Sequence, residues 1–113
     1  MTTTRQHKVS RLLQKELGEY FQRQGLSLTG GKMLTVTVVR ISPDLGVAKV
    51  YLSIFPSDNA GETIQVISDK VGLIRSTMGN KLRNQLRHIP EFAFFLDDSL
   101  DHIDRIEDLL KDE

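Results

Sequence analysis

The sequence predicts an α+β domain in which helices pack on one face of a three-stranded sheet and leave the other face exposed. Three observations carry this. Two β-branched, largely alternating runs flank the turn Pro43-Asp44-Leu45-Gly46. Apolar residues at helical three-and-four spacing precede and follow that pair. Pro90 then separates a basic helical stretch from Phe92, Phe94 and Leu96, which alternate on one face of a third strand. The expected order is helix, strand, strand, helix, helix, strand, helix.

The first helix is expected from about Thr4 to Gln24. Val9, Leu12, Leu13, Leu17, Tyr20 and Phe21 form its apolar stripe, Gly25 ends it, and residues 27–31 make a loop. Residues 33–42 and 47–55 form a hairpin, because Pro43 presets its own φ and a glycine closes the turn. In the second strand Val47, Lys49, Tyr51 and Ser53 share one face, and Ala48, Val50, Leu52 and Ile54 the other. After a loop at 56–61, apolar positions from Ile64 to Ile89 continue at helical spacing. Gly72 and Gly79 each cost such a helix roughly 1 kcal/mol relative to alanine. A kinked or broken pair is therefore expected, with the basic part ending before Pro90. Leu100, Ile103, Ile106, Leu109 and Leu110 describe a short acidic C-terminal helix, capped by Asp98 or Ser99 and with Asp101 in its first turn. Leu100, Ile103 and Ile106 are expected to dock it on the domain.

A chain of 113 residues with net charge zero and no cysteine fits one domain without disulfides or thiolate chemistry. Neither a signal peptide nor a membrane span is expected, and cytoplasm is the default location. The neutral total hides a polarity. Residues 1–90 hold 13 Lys/Arg against 6 Asp/Glu, whereas residues 91–113 hold 2 against 9. The basic body points to a polyanion partner.

Catalytic and metal chemistry find no support. His7, His88 and His102 fall in different elements without ligand spacing, and Asp97, Asp98 and Asp101 are explained by helix capping. Gly30-Gly31-Lys32 precedes a strand instead of opening a helix, unlike a phosphate-cradling loop. No cofactor is expected.

Two helical faces are basic. Lys8, Arg11 and Lys15 project together from the first helix, with Arg5 and His7 one turn before them. Arg75, Lys81, Arg83 and Arg87 lie away from the apolar stripe of the later helices, with Arg83 and Arg87 one turn apart. Guanidinium groups at that spacing can contact successive phosphates, and Ser76, Gly79 and Asn80 would let a sugar-phosphate chain approach. An ordinary solvated basic face is the alternative reading. Phe92, Phe94 and Phe95 are assigned to the core, so phosphate and shape recognition is favoured over base stacking.

Four segments resemble the bacterial ribosome-binding factor A family over nearly the whole chain: 5–17, the hairpin 36–53, 74–87, and Pro90-Glu91-Phe92 with Phe95 and 97–100. The resemblance implies a type II KH-like RNA-binding domain over residues 1–98, followed by the acidic helix or tail at 99–113. It implies a non-enzymatic assembly factor that binds the free small ribosomal subunit and its 16S rRNA. Such a factor helps late maturation, including the 5′ end, and matters most in the cold. Lys8, Arg11, Lys15, Arg75, Lys81, Arg83 and Arg87 are the expected RNA ligands. The family's helix kink has a small-x-Gly sequence, where this chain has Lys70-Val71-Gly72. Ser76 to Gly79 is a second candidate for it. No two glycines stand three residues apart, so clamping by a Gly-x-x-Gly loop is disfavoured. A monomer is the simplest expectation. The competing reading is a protein–protein adaptor on the ribosome with incidental RNA contact.

Overall fold

The computed structural model describes residues 4–97. The acidic helix expected at 99–113, with its cap, lies outside the described residues. Within them the order is α1 (Thr4–Thr29), β1 (Met33–Ile41), β2 (Val47–Phe55), α2 (Ala60–Asp69), α3 (Val71–Leu82) and β3 (Glu91–Leu96). The sheet runs β1-β2-β3, with β1 antiparallel and β3 parallel to the central β2. A parallel return needs a long crossover, which the α2–α3 pair supplies.

Alternation along the strands builds the core. Ala48, Val50 and Leu52 are wholly buried on the inner face of β2, flanked by Leu34, Val36 and Val39 of β1 and by Phe92 and Phe94 of β3. A bulge between Val36 and Val38 shifts the register, which restores Val39 to the inner face after one extra residue. Leu13, Leu17 and Phe21 of α1 and Ile67, Ile74, Met78 and Leu82 of α2 and α3 close over this face. Phe21 meets Phe94 edge-on, with ring centres 5.9 Å apart.

Two helix ends differ from the expectation, and the expected break is placed. Helix α1 continues through Gly25 to Thr29, because this glycine serves close packing: a Cβ there would lie 3.3 Å from Leu34 Cγ. The stop comes at Gly30, whose φ of 73° suits glycine, and Gly31 N–H closes the end on Leu26 O at 2.9 Å. The break between α2 and α3 falls at Lys70 (φ −99°, ψ 9°). The break thus falls within the first candidate, Lys70-Val71-Gly72, with Gly72 in the first turn of α3, while Ser76 and Gly79 of the second candidate lie inside α3. Helix α3 also ends at Leu82, short of the expected Ile89. Residues 83–90 return as an irregular segment whose Leu86 and Ile89 still pack against the core. Arg83 and Arg87 are consequently not one helical turn apart.

The hairpin turn is held by its own polar groups. Ser42 N–H bonds Val47 O at 2.9 Å, and the Asp44 carboxylate accepts from Ser42 Oγ at 2.6 Å and from Gly46 N–H at 3.0 Å. The Ser42 hydroxyl, then the Gly46 amide, hold the Asp44 pKa below its ordinary 3.8. A depressed carboxylate contributes stability above its unfolded pKa and loses it as pH falls through the lower folded value. NMR titration of the Asp44 carboxyl should therefore give a midpoint under 3.8, with faster turn-amide exchange as it protonates. A midpoint at or above 3.8 would show that these bonds do not persist in solution.

Candidate nucleic-acid interface

Polar side chains fix the rotation of α1, and through it the direction of the basic row. Gln6, Ser10 and Gln14 follow one another at helical spacing along the flank facing β1. Gln6 Nε2 donates to Ile41 O at 3.0 Å, Ser10 Oγ to Val39 O, and Gln14 Nε2 to Thr37 O at 3.2 Å. These bonds occupy carbonyls on the open edge of β1, which an exposed strand edge would otherwise offer to another chain. With Val9, Leu13 and Leu17 turned to the core, Lys8, Arg11 and Lys15 come out on the opposite, exposed side.

This row is a ridge between two depressions. Arg11 and Lys15 border a groove along the edge of β1 beside Leu34 and Val36. Arg5 and Lys8 enter a cleft that also receives Arg87 and His88 from the segment after α3 and Leu45 from the hairpin turn. Asp44 borders the same cleft, with its carboxylate already engaged inside the turn. Two separate elements, α1 and the segment after α3, thus place Arg5, Lys8, Arg87 and His88 around one opening. None of Arg5, Lys8, Arg11, Lys15 or Arg87 forms an ion pair among the described residues. Unpaired cations on a ridge and in an adjoining cleft are suited to a run of phosphates.

The remaining expected ligands are placed otherwise. Arg75 turns inward: its Nε donates to Pro90 O at 3.1 Å and its Nη2 to Ile89 O at 2.8 Å. It therefore anchors the entry to β3 and is not offered to a phosphate. Lys81 pairs with α1, its Nζ lying 2.7 Å from Glu16 Oε2 and 3.6 Å from Glu19 Oε2. The bond to Glu16 raises the Lys81 pKa. Arg83 stands exposed at the C-terminal cap of α3. Of the seven expected ligands, the structure gathers Lys8, Arg11 and Lys15 on the ridge and Arg87 in the cleft. It adds His88, which sequence reasoning weighed only as a metal ligand and set aside. Among the described residues no group of three His, Cys, Asp or Glu could hold a metal ion, and no helix is long and apolar enough to cross a membrane.

Fold and site together define an α+β domain of KH-like order, with two antiparallel strands, a broken helix pair and a parallel third strand behind a cationic helix ridge. The chain belongs to the ribosome-binding factor A family, whose model matches residues 5–110. It is 39% identical over 110 residues to ribosome-binding factor A of Cytophaga hutchinsonii, covering 97% of this chain and 83% of that one. The protein of the same name from Christiangramia forsetii is 41% identical over 111 residues, with 96% and 84% covered. In three dimensions the chain resembles the crystal structure of ribosome-binding factor A from Thermus thermophilus, with a TM-score of 0.67, 21% identity, and 80% of this chain and 94% of that chain covered. It also resembles a homology model of the Thermus thermophilus factor fitted into a cryo-EM map of its complex with the 30S subunit, with a TM-score of 0.55, 22% identity, and 74% and 90% covered.

Proposed function

We propose that this protein is a non-enzymatic assembly factor of the cytoplasm that binds the free small ribosomal subunit as a monomer and contacts 16S rRNA through phosphates. The observation that carries the RNA contact is the ridge Lys8, Arg11 and Lys15, exposed and without ion-pair partners among the described residues, running into the cleft of Arg5, Arg87 and His88. Family membership supplies the ribosomal context. On this reading the factor assists late maturation of the subunit, including the 5′ end of 16S rRNA, and its contribution grows in the cold.

Co-sedimentation of the purified protein with separated ribosomal fractions tests the proposal. Association with free small subunits, and not with large subunits or assembled ribosomes, is expected. It should weaken steeply as salt rises, because bound phosphates release counterions. Equal association with all fractions would reduce the ridge to a general polyanion binder and sink the assembly role.

A further inference from the structure

The three described helices pack on the inner face of the sheet, and nothing among the described residues covers the outer face. Val38, Tyr51 and Phe95 form one cross-strand row there, with Arg40, Lys49 and Ala93 as the next. Tyr51 and Phe95 stack with ring centres 5.4 Å apart, and Phe95 is 40% exposed, which corrects its expected place in the core. Val38, Val47 and Phe55 on the same side are likewise exposed large hydrophobics. The Val38–Tyr51–Phe95 row is an exposed apolar band across all three strands, bordered by the Arg40–Lys49 pair, and such a band marks an interaction surface.

We propose that the acidic C-terminal segment of this same chain, residues 99–110, lies across the outer face. Its apolar residues Leu100, Ile103 and Ile106 rest on Val38, Tyr51 and Phe95, and its carboxylates lie beside Arg40 and Lys49. Three observations support this occupant.

The first is where the described chain ends. Asp97 follows β3 directly; its N–H bonds Leu52 O at 2.8 Å on β2, and its carboxylate accepts from Thr37 Oγ1 on β1. The ladder with β2 thus continues to Asp97, and its side chain lies on the outer face, reaching Thr37 of β1. The second is reach. Twelve residues in a helix span about 18 Å, whereas β3 and β1 stand only about 10 Å apart across one intervening strand. The third is charge. Residues 98–113 hold 7 Asp/Glu against 2 Lys/Arg. Arg40 and Lys49 are direct cross-strand partners, an arrangement that disfavours pairing of the strands. Neither has an ion pair among the described residues.

RNA is a poorer occupant. The outer face offers a single pair of cations, Arg40 beside Lys49, with Glu91 one row beyond: too few for a run of phosphates, yet enough for the carboxylates of one tethered segment. An amphipathic segment needs no long-range attraction, because its tether keeps it at a high effective concentration. With the outer face covered, the α1 ridge is left as the cationic surface open to RNA.

The chain has no cysteine, so a single D104C substitution in the full-length protein can carry a nitroxide label without competing sites. Amide NMR should then show paramagnetic signal loss at Val38, Lys49, Tyr51 and Phe95, with Lys8, Arg11 and Lys15 unaffected. The loss should shrink when R40E and K49E are added together. Signal loss centred on Lys8 to Lys15 would place the segment over the RNA ridge and overturn the proposal. Absence of any localised loss would overturn it equally and leave the outer face to a partner molecule. Neither result would alter ribosome co-sedimentation, so the two proposals fail separately.

Discussion

Reversing the charge of Lys8, Arg11 and Lys15 together to Glu is expected to lower affinity for small-subunit RNA about a hundredfold at moderate salt. The estimate takes three exposed contacts at about 1 kcal/mol each, with tenfold in affinity for every 1.4 kcal/mol. The sharper readout is the salt dependence. Each lost phosphate contact should flatten the slope of log affinity against log salt by about 1. Thermal stability should change little, since all three side chains are exposed and unpaired among the described residues. Filter binding and sedimentation across a salt series would measure both quantities. An unchanged slope in a folded variant would remove the ridge from the interface.

The same experiment on Lys81 should read differently, which shows where the sequence stops being informative. Spacing places Lys81 on the outward side of its helix, as it places Lys8 on α1. Its partner Glu16 lies on another element, and only tertiary packing brings that carboxylate within 2.7 Å. Charge spacing along one helix cannot reveal what a second helix brings to it. Phe95 fails for the converse reason. Three phenylalanines close together look like core, but period-two alternation sends Phe92 and Phe94 inward and Phe95 outward.

The hairpin and β3 were legible because proline acts locally: Pro43 opens the turn, in which Leu45 takes the left-handed conformation (φ 61°), and Pro90 releases the chain into β3. Gly25 was misread because glycine carries two meanings. It can stop a helix or let one pack closely, and the neighbouring Leu34 side chain decides between them. The ladder of Gln6, Ser10 and Gln14 left a faint trace, three uncharged polar residues at four-residue spacing beside the apolar stripe. Its meaning depended on the edge carbonyls of β1, which become available only once the sheet has formed.

Arg75 offers the clearest separation of a folding role from a binding role. The expectation that α3 runs on to Ile89 leaves this guanidinium facing solvent. The chain instead leaves the helix after Leu82, and the carbonyls of Ile89 and Pro90 turn back to accept its two donors. Arg75→Ala should therefore destabilise the domain by about 2–3 kcal/mol, as expected for two hydrogen bonds from a charged donor with the side chain part-buried. That corresponds to a loss of roughly 10–20 °C in Tm for a domain of this size. Arg75→Lys should recover only part, because an ammonium lacks the planar fork that reaches both carbonyls. Under conditions where both variants remain folded, RNA affinity and its salt slope should match those of the parent. A variant with normal unfolding but weakened, flattened RNA binding would return Arg75 to the phosphate ligands. It would also mean that the path of residues 83–90 into β3 is held mainly by the packing of Leu86 and Ile89 on the core.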